Sequence, residues 1–427
     1  MDQVVGIANV AFIAYILYRL WQRDHSSLKR LYWPAVLFKL LAGIALGLLY
    51  TYYYNGGDTF SYFNDGVKLA NLARHDVSTY ISFLWSGDDS YSIWSELVYR
   101  QPRAMFLSKI TSVFSLLTAD SYWVISLYFS SISFYCSWML ARKILTLNAD
   151  SGFAVAMAFL FFPSIVFWSS GLIKESLAMA AMFFLCSIFL RVWGKETLRL
   201  LEWTLTIFAL WILWNLKYYY LGVLLPVTAT ALFARSIFSR MKPKYLAAKL
   251  LVWGVIFVGP MLLISVLHPN FYPERFLQVV VSSYYEFYEI SHAHNVIDYG
   301  NLEPTVTSIA KNIPLAIYSG LYRPFLTEAS TLLQVLSATE NLVLMILTIA
   351  ALTQIKKLIR SRHRLLIFSV FAYVFILCIL LALSAPNFGT LSRFRVGFLP
   401  FFVLLLTVEN PLVTRLINSK WWSNLVP

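Results

Sequence analysis

The chain has 427 residues, of which 59% are hydrophobic and only 13% are charged. A water-soluble fold could not bury so much apolar surface, so the composition excludes an ordinary soluble enzyme. The formal net charge is +13, but the basic residues are spread over short loops and form no single patch, which argues against a nucleic-acid partner. The three cysteines lie inside apolar runs, where packing is their usual role, so we expect no disulfide framework.

Apolar runs of about 20 residues, the length that one helix needs to cross a hydrocarbon core, recur along the whole chain. We therefore predict an all-α, polytopic integral membrane protein, with a single transmembrane domain over residues 1–427 and about eleven transmembrane helices. The predicted spans are 4–20, 33–54, 122–141, 152–168, 172–190, 203–216, 219–235, 249–267, 340–355, 365–384 and 396–410. The run at 203–216 is short, so a re-entrant hairpin around residues 215–220 remains an alternative.

Lysine and arginine cluster at alternate ends of these runs, as the positive-inside rule predicts for cytoplasmic loops. The clusters fall near residues 19–30, 142–143, 191–199, 235–249, 356–364 and 415–420. This pattern predicts an amino terminus outside and a carboxyl terminus in the cytoplasm. Three loops then face outward, at 55–121, 268–339 and 384–395, and the first two are long enough to be structured and functional.

The first candidate site is the sequence Asn-Gly-Gly-Asp-Thr-Phe-Ser-Tyr at residues 55–62, where the second span leaves the membrane. Its two glycines allow a tight turn, which places the Asp58 carboxylate at the bilayer surface. A carboxylate there could deprotonate a sugar hydroxyl or a water, so Asp58 is the candidate catalytic residue, with Tyr62 as a supporting residue. Aspartate followed by threonine and serine is also good capping chemistry, so a helix cap is the structural alternative.

A second candidate lies at residues 162–175, which join two spans by an outer turn. Lys174 and Glu175 are ionisable residues at the membrane boundary, where functional roles are over-represented. Lys174 is a candidate ligand for a substrate phosphate and Glu175 a supporting residue. The amides of Ser169–Gly171 could be aimed at an anion. A capped hairpin whose lysine extends to water is the alternative.

Arginines mark two further outer segments, at residues 322–328 and 387–395. A guanidinium group binds phosphate through two parallel hydrogen bonds, so Arg323, Arg393 and Arg395 are candidate ligands for the phosphate of a lipid-linked substrate, with Glu328 as a supporting residue. The pair Glu340-Asn341 is expected where the ninth span begins. Contact with lipid headgroups is the alternative role for the arginines.

A weaker group, His292, His294 and Asp298, has a His-x-His pattern without strict ligand spacing. We predict no metal site and no cofactor, although a divalent metal at this loop stays open. No nucleotide-binding, zinc-protease or nucleophile-elbow motif occurs in the sequence.

Together these segments resemble the C-type glycosyltransferase superfamily, multi-span enzymes that take sugars from polyprenyl-phosphate carriers. Residues 162–175, 322–325 and 387–395 also resemble bacterial membrane proteins of polysaccharide-biosynthesis type. The resemblance implies a multi-pass protein of the bacterial cytoplasmic (inner) membrane that uses a polyprenyl-(pyro)phosphate-linked sugar donor and a glycan or lipid acceptor at the outer face. It also implies that Asp58 is the catalytic base or the group that orients the acceptor.

Three other functions stay open. An O-antigen-type polysaccharide polymerase or ligase would move a whole glycan instead of one sugar. A transporter or flippase of a lipid-linked solute would place charged residues deep inside several spans, whereas Lys39 is the only clear mid-span charge that the sequence indicates. A scaffold subunit of an envelope assembly would use the aromatic outer loops as a docking surface.

Overall fold

The computed structural model of the protein describes residues 2–241, 246–267, 272–291 and 295–417. The predicted all-α class is confirmed: over these residues the chain is helical, and its only β pairing is an isolated antiparallel bridge between Val296 and Asn387. The described residues form two compact units. Unit 1 comprises the residues up to Leu221, and unit 2 comprises those from Gly222 onward.

Over the residues described up to Leu221, unit 1 contains ten α-helices. The last of them continues into unit 2. They are α1 (Asp2–Gln22), α2 (Tyr32–Tyr52), α3 (Asp58–His75), α4 (Val77–Ser86), α5 (Pro102–Thr118), α6 (Tyr122–Leu145), α7 (Gly152–Ala156), α8 (Pro163–Trp168), α9 (Lys174–Trp193) and α10 (Leu200–Met241). Short 3₁₀ turns occupy Ser27–Leu31, Ser92–Glu96 and Ala149–Ser151.

The described part of unit 2 adds nine helices and one 3₁₀ turn, Arg395–Gly397. The helices are α11 (Leu246–Leu267), α12 (Pro273–Glu289), α13 (Val306–Tyr322), α14 (Leu332–Leu352), α15 (Ile355–Arg360), α16 (Arg364–Ser384), α17 (Phe388–Phe394), α18 (Leu399–Thr407) and α19 (Pro411–Ile417).

Seven helices in the described ranges are long and apolar enough to cross a membrane. They are Gln3–Gln22, Ser27–Tyr52, Tyr122–Leu145, Lys174–Trp193, Leu200–Met241, Leu332–Leu352 and Arg364–Ser384. The segments Phe388–Gly397 and Leu399–Thr407, bent by 69° at their junction, make an eighth if they are one broken span. The chain is therefore a membrane-embedded, polytopic helical protein, with fewer such helices than the eleven predicted spans.

Two predicted regions account for much of this difference. Residues 152–168 form α7, a π-helical turn over Met157–Phe161 and α8 instead of one regular helix. The chain breaks between the π-helical turn and α8 because Phe162 is extended and Pro163, which lacks an amide hydrogen, starts a new helix. Residues 203–235 lie in α10, which consists of two helices joined across a kink at the non-helical residue Lys217. The predicted break between residues 216 and 219 is therefore present, although Leu200–Met241 counts as one membrane-length helix. A straight α10 of 42 residues would be about 63 Å long, roughly twice the thickness of a hydrocarbon core.

The predicted 55–121 loop is a structured layer built by α3, α4 and α5. Helices α3 and α5 cross closely at Gly66, where an added Cβ would lie 2.7 Å from the Thr111 Cγ2 atom. The Tyr80 hydroxyl lies 2.8 Å from the Ser112 hydroxyl and ties α4 to α5. A cluster of apolar side chains fills the layer; its buried members are Leu69, Ala73, Tyr80, Phe83, Ile93, Leu97 and Met105. This core holds the chain that carries the candidate site.

A buried carboxylate joins the first loop of unit 1 to the end of α6. Asp24 is 1% exposed and accepts hydrogen bonds from the Ser26 amide at 2.7 Å and from the Trp138 indole at 2.6 Å. The Arg142 guanidinium lies 3.4 Å away. Burial by itself would raise the pKa of Asp24, but these hydrogen bonds and the nearby arginine outweigh burial and hold the pKa below its ordinary value of 3.8.

Candidate functional site

The Gly-Gly turn delivers Asp58 to the first turn of α3. Gly56 and Gly57 have φ angles of +118° and +101°, in the region that favours glycine. The Gly56 amide donates to the Tyr50 carbonyl at 2.8 Å, which fixes the turn against the end of α2. Gly57 occupies the N-cap position and Asp58 is the first helical residue. The alternative role of Asp58 as the helix cap is therefore wrong.

The Asp58 carboxylate is held by a tyrosine from the segment before α5. The Tyr99 hydroxyl donates a hydrogen bond of 2.5 Å to Asp58 Oδ1. A second carboxylate of the same helix places this tyrosine, because Asp65 accepts from the Val98 amide at 2.9 Å and from the Tyr99 amide at 3.0 Å. Asp58 is half-buried and Asp65 is completely buried. The two aspartates lie on one face of α3 but have different roles. Asp58 is partly accessible, whereas Asp65 holds the backbone at Val98 and Tyr99 in place.

Lys174 reaches the same group of residues through Tyr62. The Tyr62 and Tyr99 rings lie 4.7 Å apart between centroids, and the Lys174 ammonium lies 5.2 Å from the Tyr62 ring centroid. The start of α3 is tied to the chain just before Lys174, since the Thr59 hydroxyl donates to the Leu172 carbonyl at 2.8 Å. A carboxylate and an ammonium, each half-buried, therefore belong to one cluster, which we call the Asp58 cluster (Asp58, Tyr62, Tyr99 and Lys174).

Glu175, the predicted supporting residue next to Lys174, points into the interior of unit 1. Its carboxylate forms an ion pair of 2.7 Å with the Lys217 ammonium, and the two side chains are 0% and 5% exposed. Lys217 is the one non-helical residue inside α10. The break in α10 therefore lies where its lysine meets the first turn of α9, and Glu175 braces α9 from the inside.

The turn between α8 and α9 is more enclosed than the sequence predicts. The Gly171 amide donates to the Ser130 hydroxyl at 2.9 Å, so this amide is used inside the protein and is not aimed at an outside anion. The Ser169 hydroxyl accepts a 2.5 Å hydrogen bond from Lys39. Lys39 is 5% exposed in the middle of α2, where it is a membrane-embedded amine bound to a hydroxyl.

The arginine segments lie in unit 2 and meet each other there. Arg323 forms two hydrogen bonds to the Glu328 carboxylate, which also accepts from the Phe325 amide at 2.9 Å. The Arg323 guanidinium lies 4.9 Å from the Phe388 ring centroid, at the start of α17. The pair Arg323 and Glu328 therefore closes the turn after α13.

Arg395 is completely buried and donates to the Asn341 amide oxygen at 2.7 Å. Asn341 in turn donates to the Pro324 carbonyl at 2.9 Å, and Glu340 supplies a nearby negative charge. The prediction that Glu340 and Asn341 begin the ninth span is wrong, because α14 starts eight residues earlier at Leu332. Arg393, in the last turn of α17, is half-buried.

No cluster of three or more His, Cys, Asp or Glu side chains able to hold a metal ion occurs within the described ranges. His292 and His294 of the weaker predicted set lie outside the described residues. Asp298, its third member, accepts a hydrogen bond of 2.7 Å from the Gly300 amide and so closes a local turn.

Sequence reasoning missed three residues that the structure brings to the Asp58 cluster or beneath it. Asp65 lies seven residues after Asp58, a spacing that shares one helix face, so the pattern of α3 could have indicated it. Tyr99 and Lys217 carry no such signal, because each meets its partner about forty residues away along the chain through packing alone.

A scan against models of known protein families, a search of curated proteins and a search of solved structures all returned no match. The fold and the clusters therefore define a class only: a polytopic, all-helical membrane protein with a half-buried carboxylate at the first turn of a helix that follows a membrane-length helix.

Proposed function

We propose that the protein is a membrane glycosyltransferase that moves a sugar from a polyprenyl-(pyro)phosphate carrier to a glycan or lipid acceptor. The observation that carries this proposal is the half-buried Asp58 carboxylate, bound by the Tyr99 hydroxyl at 2.5 Å. It follows the membrane-length helix Ser27–Tyr52 by a short glycine turn. A carboxylate at this place suits a substrate whose lipid tail stays in the bilayer while its sugar lies at the surface.

The chemistry assigned to the Asp58 cluster is a single displacement. Asp58 accepts the proton of the acceptor hydroxyl as that oxygen bonds to the anomeric carbon of the donor sugar. The bond between the anomeric carbon and the carrier phosphate oxygen breaks, and the phosphate keeps the electron pair. Lys174 stabilises the negative charge that develops on the leaving phosphate. Tyr99 holds the carboxylate in place, and no soluble cofactor takes part.

We leave the arginines of unit 2 out of this reacting centre. The Arg323 guanidinium is hydrogen-bonded to the Glu328 carboxylate. Arg395 is buried and donates a hydrogen bond to Asn341. Arg393, which is half-buried, keeps the predicted role of a phosphate ligand as a separate hypothesis. Its test is the affinity of Arg393→Ala for a polyprenyl phosphate, with Arg362→Ala, in the basic loop before α16, as the matched loss of charge.

The direct test uses purified protein in proteoliposomes, supplied with polyprenyl-phosphate and polyprenyl-pyrophosphate carriers that bear radiolabelled sugars. We expect one carrier to lose its sugar to an added glycan or lipid acceptor, with stoichiometric release of the carrier phosphate. Failure to cleave any carrier in a broad panel of sugars and acceptors would contradict the proposal.

A transporter or flippase of a lipid-linked solute is the second candidate, and buried charges favour it. The sequence indicated one mid-span charge, whereas the structure encloses Lys39, the pair Glu175 and Lys217, and Arg395 within helical segments. Charges in such places often mark a solute or ion pathway. The same proteoliposomes separate the two functions, because a flippase moves an intact fluorescent carrier between leaflets and a transferase cleaves it.

A further inference from the structure

Helix α4 presents a row of apolar side chains outward. Val77, Ile81 and Trp85 are 59%, 60% and 94% exposed. They are spaced four residues apart and so lie on one side of the helix, one per turn. Tyr80 and Phe83 on the opposite side are buried in the core of the 55–121 layer. Single exposed apolar residues are common, but three of them in one continuous row form a patch of the kind that marks a contact with a membrane or a partner.

This apolar row is not needed to form the helix. The Asp76 carboxylate caps the first turn, accepting from the Thr79 amide at 3.0 Å and from the Thr79 hydroxyl at 2.6 Å. Gly87, with a φ angle of +61°, ends the helix in the left-handed conformation. Both ends are fixed by polar or glycine chemistry and the inner face by packing, so the outer row serves another contact.

We propose that α4 is an interfacial helix that inserts Val77, Ile81 and Trp85 into the boundary between headgroups and acyl chains of the adjacent leaflet. The first reason is position. The 55–121 layer is joined at both ends to membrane-length helices, Ser27–Tyr52 and Tyr122–Leu145. Exposed aromatic residues mark these junctions, as in the aromatic belts of membrane proteins; they are Tyr52, Tyr53, Tyr54 and Trp123.

The second reason is the chemistry beside the row. Ser78, Ser82 and Ser86 form a parallel, exposed row of hydroxyl groups on the neighbouring side of the helix. The Lys109 ammonium lies on the inner side of α4, where it donates to the Leu84 carbonyl at 2.9 Å and lies 5.2 Å from the Phe83 ring centroid. An apolar row flanked by a row of hydroxyl groups matches the boundary between acyl chains and polar headgroups.

The third reason is size. The surface of three side chains is far smaller than the roughly 800 Å² that each partner buries in a stable protein interface. An interfacial helix needs only a narrow apolar face to bind a membrane. An anchored α4 also sets the depth of the Asp58 cluster, because Phe83 and Leu97 share one core and Tyr99 follows Leu97 by two residues. This inference stands whether or not the protein transfers sugars.

The test is spin-label depth measurement on the full-length protein in nanodiscs that contain anionic lipid. The three native cysteines, all buried, are replaced by alanine, and single cysteines are introduced for labelling. The apolar-row variants are Val77→Cys, Ile81→Cys and Trp85→Cys, and the matched controls are Ser78→Cys, Ser82→Cys and Asp89→Cys. Collisions with oxygen and with a water-soluble nickel complex report the depth of each label.

We expect labels on the apolar row to favour oxygen and to lie about 5–10 Å below the phosphate level, with the serine labels shallower and the Asp89 label in water. Equal exposure of the row and of Asp89 to the nickel complex would overturn the inference. So would labels shielded from both reagents, which would indicate a protein partner or a second copy of the chain.

A second measurement leaves the native cysteines in place. Brominated lipids should quench part of the tryptophan fluorescence of the wild type, and Trp85→Phe should remove a quenchable component. Trp94→Phe, which changes a half-buried tryptophan packed against the core of the same layer, is the control. Identical quenching in the wild type and in Trp85→Phe would contradict insertion of Trp85.

Discussion

Replacing Lys217 by methionine should strongly destabilise unit 1. The substitution removes the ammonium group but leaves the Glu175 carboxylate, which is 0% exposed, without its ion-pair partner. Removing one member of a buried pair destabilises a protein by about 3–5 kcal/mol, because a buried charge loses its compensation. For a cooperative unit of about 200 residues this corresponds to a fall in melting midpoint of roughly 6–20 °C.

The three buried cysteines provide the assay. Cys136, Cys186 and Cys378 are free and buried, so a thiol-reactive dye becomes fluorescent as heating exposes them. Lys143→Met is the matched control, since it breaks a lysine–glutamate pair whose Glu196 side chain is 45% exposed. We expect that control to change stability by about 0–1 kcal/mol.

The double variant Glu175→Met with Lys217→Met separates charge from packing. Replacing a whole buried pair by apolar side chains is often neutral or stabilising, so the double variant should recover most of the lost stability. The reasoning is refuted if Lys217→Met melts like Lys143→Met, or if the double variant is no more stable than the single one.

Three further outcomes are expected. Gly57→Ala should lower the free energy of unfolding by about 1–3 kcal/mol, because the φ angle of +101° at Gly57 suits glycine alone. Gly6→Ala is the control and should not lower it, because Gly6 has open space around it. Equal melting midpoints of the two variants would contradict this prediction. Because the pKa of Asp24 lies below 3.8, the stabilising effect of its carboxylate is present above pH 3.8 and is lost as the pH falls below that value. Asp24→Asn should therefore reduce the acid dependence of the melting midpoint. An unchanged dependence would exclude Asp24 as its source. Tyr99→Phe should slow sugar transfer by roughly 10–100-fold, the equivalent of one hydrogen bond to a charged group, and a wild-type initial rate would show that Tyr99 does not orient Asp58.

The helical class and the place of the first candidate site could be predicted from the sequence because both depend on local chemistry. Apolar runs of membrane length predict helices, and the Gly-Gly pair correctly places a turn before Asp58. The start of α14 also had a local signal that the prediction overlooked. Thr331 caps this helix and Gln334 reaches back to the Ser330 amide at 2.8 Å, much like a capping box.

The remaining features depend on packing between distant segments. The break in α10 at Lys217 falls between the predicted spans 203–216 and 219–235 and was therefore indicated by the sequence. A lysine in an apolar run predicts no particular partner, so the pairing of Lys217 with Glu175 could not be read from the sequence. The buried environment of Arg395 is of the same kind, because an arginine beside a predicted outer loop is expected at a surface. Its enclosure depends on Asn341, a residue of another helix.

The rate of sugar transfer by Asp58→Asn is the most direct test of the proposed enzyme. Asparagine keeps the size of the side chain and removes the proton acceptor, so we predict a loss of roughly 10²–10⁴-fold in rate with folding intact. Asp76→Asn is the matched control, because Asp76 caps α4 in the same layer and asparagine caps almost as well. A folded Asp58→Asn variant that transfers sugar at the rate of Asp76→Asn and of the wild type would contradict the assignment of Asp58 as the catalytic base.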